Sequence, residues 1–227
     1  KQLTLGYWKI SNMPLIVKEK ISPNTEYFIW HITEKEQFFL DQLILDDFEQ
    51  QYYARLIDVK RREFLACRFL LHVALGSEKR VFLEISPSGK PFLKNKAFEI
   101  SLSHSASYVA VVLSDRPVGI DIQQTNPKLE RIKGKFISEE EFEWYADTMN
   151  TELVHHFWGA KEALFKAYGN GKVEFRQDLK ITKIPLDLKR GCGLGKVIKE
   201  DLNADFDIHS RKIEDYFIAI AEQKKES

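Results

Sequence analysis

The stretch from Asn150 to Gly169 limits what this chain can fold into more than any other. It predicts one long helix, about Thr151 to Tyr168, with Asn150 placed to cap its start and Gly169 its end. Phe157, Leu164 and Tyr168 fall on one face and need a core to pack into. Trp158, Glu162 and Lys166 repeat one turn apart on another face. The residues on both sides of this helix read as strands. Before it come 98–103, 108–113 and 118–122, the second rich in β-branched residues. After it come 179–184, 195–198, 206–209 and 216–221.

Two further helices are expected between Glu34 and His72, the second ending near Gly76, and a helical stretch between Lys128 and Asp147. Ser86 to Pro91 is a turn cluster. Helices and antiparallel-looking strands in both halves give an α+β fold class. Tyr216–Ala221 echoes Tyr108–Leu113, which hints at an internal duplication. Ser114–Pro117 is the best boundary between two lobes, dividing the chain into 1–115 and 116–227.

Composition narrows the function. In 227 residues, 34 basic side chains balance 34 acidic ones, which removes the bulk electrostatic case for nucleic acid. Any phosphate site must therefore be built from a few placed residues. Cys67 and Cys192 are the only cysteines, too few for a disulfide framework or a thiolate metal cluster, and they fit a reducing, cytoplasmic setting. No apolar run approaches the roughly 20 residues that span a membrane. The opening Lys1–Thr4 does not read as a secretory signal.

The chemistry centres on two carboxylates. Glu162 and Lys166 share a helix face, and such spacing alone usually means a surface ion pair worth roughly a few tenths of a kcal/mol. Asp121 changes the weighting. It ends a Val-Gly-Ile-Asp run in which Ile120 and Ile122 face one way and Asp121 the other. A carboxylate on an apolar strand is costly to bury unpaired. A salt bridge or a local cap would satisfy it; so would a second carboxylate with a magnesium ion, which favours a few carboxylate oxygens, water and phosphates. Lys161 and Lys166 beside the pair suit a phosphate-bearing ligand. His104, flanked by Ser103 and Ser105 at a strand end, and Lys90, presented by Gly89 and stiffened by Pro91, are settings for phosphate contact as well.

The order Gly-Lys-Pro (89–91), Ser-His-Ser (103–105), Gly-Ile-Asp (119–121) and Trp-x-x-Lys-Glu-Ala-x-x-Lys (158–166) resembles that of the 4′-phosphopantetheinyl transferase family. Spacing and length look like its large, single-chain, surfactin-synthetase-activating branch. The resemblance implies two similar α+β lobes related by a pseudo-twofold, with the active site in the cleft between them. It implies transfer of the 4′-phosphopantetheine arm of coenzyme A to a serine of an apo acyl or peptidyl carrier protein. Adenosine 3′,5′-bisphosphate would be released, by a cytoplasmic, magnesium-dependent monomer serving lipid or secondary-metabolite pathways. Carried over by motif, Asp121 and Glu162 resemble the magnesium ligands, with Gln123 beside them. Glu162 and Lys166 resemble the catalytic pair. Lys90, Ser103, His104, Thr125, Lys161 and Lys166 resemble contacts to the nucleotide and its phosphates. Arg61 to Arg68 looks like the family's arginine-bearing helix, with Arg62 favoured and Arg68 the alternative for the 3′-phosphate.

Two departures stand out. Gln123 takes a place that is often Glu in this branch, so a two-carboxylate metal site is expected. No lysine lies between Asp46 and Asp58, which leaves the 3′-phosphate more dependent on arginine. Gln123 also keeps open a coenzyme A or nucleotide-binding module without catalysis; a purely structural α+β protein would make the motif order a coincidence.

Overall fold

The computed structural model describes residues 14–77, 80–95, 97–185, 187, 189–200 and 202–225. The opening tetrapeptide read above for a secretory signal lies outside the described residues. The described residues open with a hairpin, β1 (Leu15–Ser22) and β2 (Thr25–His31), followed by three helices, α1 (Glu36–Leu40), α2 (Asp47–Arg55) and α3 (Asp58–Leu75). A short hairpin, β3 (Leu83–Ile85) and β4 (Pro91–Leu93), turns through the Ser86–Lys90 cluster. Then come β5 (Glu99–Ser105), β6 (Tyr108–Ser114) and β7 (Val118–Gln124). The helical middle is α4 (Lys128–Ile132), α5 (Glu139–Tyr145) and α6 (Thr151–Tyr168), and the chain finishes with β8 (Leu179–Lys183), β9 (Arg190–Ile198), β10 (Asn203–Ile213) and β11 (Tyr216–Gln223).

Two antiparallel sheets carry the fold, one ordered β1-β2-β6-β5 and the other β7-β11-β10-β9-β8. The chain crosses from the first to the second through Asp115–Pro117. Along β6, Val109, Val111 and Leu113 point into a core shared with α1 and α3, while Ala110 and Val112 point into a layer between the sheets. Along β11, Tyr216, Ile218 and Ile220 enter that same layer, while Ala219 and Ala221 join the core under α6. The similarity of these two segments thus has a physical cause: each is an inner strand buried on both faces. Tyr108 and Tyr216 meet across the layer with ring centroids 4.4 Å apart.

Three helices, not two, occupy the first helical region. A capping box between Asp46 and Glu49 starts α2, and the extended backbone at Leu56 and Ile57 separates it from α3. Gly76, at φ 56°, ends α3 as the sequence indicates. The β1–β2 and β3–β4 hairpins were not foreseen. Among the described residues no helix is long and apolar enough to cross a membrane.

Candidate functional site

The site is made where α6 crosses β7. Asn150 accepts the amide of Leu153 at 2.9 Å and starts the helix; Gly169, at φ 61°, closes it. Alternation along β7 turns Val118, Ile120 and Ile122 into the inter-sheet layer, so Gly119, Asp121 and Gln123 face α6. The helix comes so close that a Cβ on Gly119 would lie 2.0 Å from the Ala163 carbonyl oxygen and 2.6 Å from the Ala167 nitrogen. Only glycine permits that approach. One turn earlier, a Cβ on Gly159 would stand 3.1 Å from Gln123 Nε2. Two missing side chains thereby lower α6 onto the strand and bring Glu162 and Lys166 to Asp121.

Asp121 is only 7% exposed. Its Oδ1 accepts from Lys166 Nζ at 2.8 Å and from Ser103 Oγ at 3.1 Å. The Lys166 ammonium also donates to Ser103 Oγ at 3.0 Å and to the Ile120 carbonyl at 2.9 Å. Glu162 stands half-buried beside this group. Burial first, and the charge of Asp121 second, push its carboxyl up to about 7 against the pull of Lys166. Gln123 donates its amide nitrogen to the His155 carbonyl at 3.0 Å. His155 is itself fixed, its Nε2 accepting the Asn126 amide at 2.8 Å and its Nδ1 standing 2.7 Å from the Thr151 carbonyl.

A ladder of serines joins β5 to β7. Ser101, Ser103 and Ser105 each accept a backbone amide from β7, those of Ile120, Ile122 and Gln124, at 3.1, 3.2 and 3.0 Å. Side-chain hydroxyls here do what backbone carbonyls do inside a sheet, and they hold Ser103 against Asp121.

The remaining expected residues divide into those near the pair and those away from it. His104 alternates with the serines and turns to α3, where its Nδ1 lies 3.1 Å from Glu63 Oε2. Burial lowers the proton affinity of His104, while Glu63 raises it and Lys60 and Lys166 lower it further. Lys90 lies across the end of α6, donating to the Ala167 carbonyl at 3.2 Å with Glu99 at 3.6 Å; burial depresses its pKa. Thr125 is exposed and bonded to the β10–β11 turn, its hydroxyl donating to the Asp215 carbonyl at 2.9 Å. Arg62 is exposed on α3. Arg68 is engaged, 2.9 Å from Glu49 and stacked over Phe64.

Lys161 is a correction. It is 0% exposed, and its ammonium donates to the Phe136 carbonyl, the Phe175 carbonyl and Glu141 at 2.6, 2.9 and 2.7 Å. All three of its protons are committed, so it is not available to a phosphate. One residue of helix is about 100° of rotation, which carries Lys161 from the Glu162 face into the body of the protein. It joins α5, α6 and the segment after α6, with burial lowering its pKa to about 8 against the pull of Glu141.

Among the described residues no cluster of three or more His, Cys, Asp or Glu side chains converges on a point. The donors at the crossing are two carboxylates and an amide. An all-oxygen set with two like charges and one raised carboxyl fits a hard divalent cation such as magnesium. A groove of about 790 Å³ lies elsewhere, between α5 and residues 174–180, lined by Glu139, Glu143, Arg176 and Lys180 among others. Glu63 and Ser101 carry no expectation from sequence, and Ser105 enters there only as a neighbour of His104. The period-two serines of β5 were a visible signal; nothing local marked Glu63, which follows Arg62, as buried.

Residues 117–221 match the family described as the 4′-phosphopantetheinyl transferase superfamily. Similar proteins include 4′-phosphopantetheinyl transferase gsp of Aneurinibacillus migulanus, 30% identical over 134 residues, 54% of this chain and 55% of that protein. The transferase psf-1 of Bacillus pumilus is 33% identical over 127 residues, 51% of this chain and 53% of its own. The transferase Sfp of Bacillus subtilis is 31% identical over 90 residues, 37% and 39% of the two chains. The chain spans about half the length of the first two of these relatives. The matched segment holds Asp121, Glu162 and Lys166 together with the sheet that carries them, so the likeness to the 4′-phosphopantetheinyl transferase superfamily falls on the part of the chain that builds this crossing.

Proposed function

We propose that this chain transfers the 4′-phosphopantetheine arm of coenzyme A to a serine of an apo acyl or peptidyl carrier protein, releasing adenosine 3′,5′-bisphosphate. The observation that carries the reading is the crossing of α6 and β7, where Asp121, Glu162 and Lys166 meet. A carboxyl held near 7 is suited to take a proton from a serine hydroxyl at neutral pH. Before any cation is bound, burial and the charge of Asp121 raise the proton affinity of Glu162 in that direction, and among the described residues no side chain donates a hydrogen bond to it. In this reading Glu162 accepts the serine proton as the oxygen attacks the pyrophosphate. Lys166 keeps Asp121 oriented and leaves positive charge beside the phosphate that departs.

Asp121 and Glu162 would hold magnesium, with the Gln123 amide oxygen next to them. When bound, the ion offsets the charge of both carboxylates and of the pyrophosphate. Lys90, Ser103, His104, Thr125 and Arg62 would contact the nucleotide and its phosphates, and Lys161 drops out of that set. Residues 1–115 and 116–227 would be two similar lobes about a pseudo-twofold, with the active site in the cleft between them. The protein would act in the cytoplasm as a monomer, on coenzyme A and a carrier protein, without nucleic acid or membrane. Incubation with magnesium, coenzyme A and candidate apo-carriers, followed by intact mass measurement, tests this directly. A mass gain matching phosphopantetheine on one carrier is expected; no gain on any carrier would count against transfer.

A further inference from the structure

Glu63 is a buried acid that the proposed chemistry leaves unused. It sits on α3, only 2% exposed, among residues that otherwise build the first core. A carboxylate in such a place needs partners, and two are present: Lys60 Nζ at 2.7 Å and His104 Nδ1 at 3.1 Å. The two are unequal. Lys60 is mostly solvated, with its side chain 57% exposed, and sits one helical turn away on the same helix. His104 comes from β5 and is 43% exposed, so one side of its ring meets Glu63 and the other meets solvent.

An ionised carboxylate can only accept, so its 3.1 Å approach to His104 is favourable only with a proton on Nδ1. That fixes what the other nitrogen does. With Nδ1 turned to Glu63 on α3, Nε2 is the nitrogen left to meet an incoming ligand, and turning the ring over would take Nδ1 away from its buried neighbour. Three further charges act on the same ring: Lys60 on α3, Lys166 on α6 and Asp121 on β7. Two of these are positive and one is negative, so with Glu63 the charges facing His104 balance.

We propose that Glu63 is a positioning residue: from within α3 it holds the Nδ1 side of the His104 ring and so aims the Nε2–H of the imidazolium that forms with the bound nucleotide at one of its phosphates. This rests on the coenzyme A reading above and adds to it a residue that never touches the ligand. The neighbouring Arg62 is exposed on the same helix, so one turn of α3 would supply both a direct contact and the support for a second.

The test is a double-mutant cycle read by titration calorimetry with adenosine 3′,5′-bisphosphate. Wild type, Glu63→Gln, His104→Ala and the double variant are compared. Glu63→Gln keeps an acceptor but removes the charge that favours a protonated ring, and His104→Ala removes the ring; each single variant should weaken binding about tenfold. Because Glu63 acts through His104, the double variant should bind no more weakly than His104→Ala alone. A merely structural role would instead make the losses multiply. Wild-type affinity in Glu63→Gln, or multiplied losses in the double variant, overturns the proposal while leaving the coenzyme A reading intact. Failure of wild type to bind the bisphosphate removes that reading, and the proposal with it. A second measurement needs no mutation: long-range nitrogen–proton NMR spectra of the histidines should show Nδ1 of His104 protonated, and a bare Nδ1 overturns the assignment.

Discussion

Asp121 satisfies Lys166 and Ser103 with one oxygen, and its charge still reaches Glu162. Replacing it with Asn keeps shape and removes charge, as does Gln at Glu162. Both variants are expected to lose transfer by at least about a hundredfold, the scale of a lost general base, with circular dichroism unchanged. Near-normal turnover in either would remove that residue from the chemistry. Gln123 behaves differently, because its amide nitrogen is already spent on the His155 carbonyl. A carboxylate there cannot donate and would face a carbonyl oxygen. Gln123→Glu should therefore lower the stability of the metal-free protein by about 1–3 kcal/mol. Magnesium should recover part of that loss if residue 123 borders the ion. Equal destabilisation with and without magnesium, in a thermal melt, would place the residue away from it.

At the scale of elements, everything depends on how low α6 sits on β7. Gly119→Ala would drive a methyl into helix backbone, which cannot move aside as a side chain can. The helix must lift, and overpacking of this kind costs roughly 1–3 kcal/mol or more. Glu162 and Lys166 would rise with it, so transfer should fall along with the urea midpoint; a variant with both unchanged would mean the close approach is not needed. This helix was legible because its caps and faces are local: Asn150, Gly169 and the spacing of Glu162 and Lys166 are all written within twenty residues. β2 was not, since Thr25–His31 is buried on both faces and shows no alternation. The break between α2 and α3 has no proline or glycine to announce it, and the burial of Lys161 depends on a carboxylate twenty residues away on α5. Another long-range contact adds a pH effect. His156 on α6 is fully buried against Ser210 of β10, and burial lowers its pKa from 6.5 to about 4. The folded protein keeps it neutral while the unfolded chain takes up a proton below pH 6.5. Stability is therefore lost as pH falls from about 6.5 towards 4, by at most about 3 kcal/mol from this residue. His156→Gln should flatten that part of a stability–pH curve; an unchanged slope would assign the acid sensitivity to other groups.

For the whole molecule the question is whether the two sheets fold separately. The layer between them holds Val118, Ile120, Ile122, Tyr216, Ile218 and Ile220 from the second, against Tyr27, Ile29, Tyr108, Ala110 and Val112 of the first. Fully burying a large apolar side chain is worth about 1.5–3 kcal/mol, so exposing six would cost roughly 10 kcal/mol or more. That is comparable to the whole stability of an ordinary domain. Polar ties point the same way. The serine ladder fixes β5 to β7, Glu19 of β1 binds Arg190 and Arg211 at 2.6 Å each, and buried Glu222 of β11 accepts from Ser22 at 2.8 Å. Cutting the chain at Pro117 would expose the layer and break these ties together. The halves 1–116 and 117–227, made separately, should each lack the near-ultraviolet dichroism of fixed aromatic packing. The intact chain should unfold in one calorimetric transition whose measured enthalpy equals the van't Hoff value. Two resolved transitions, or a native-like isolated half, would mean the layer contributes less than its area implies and that the site sits between units able to move apart.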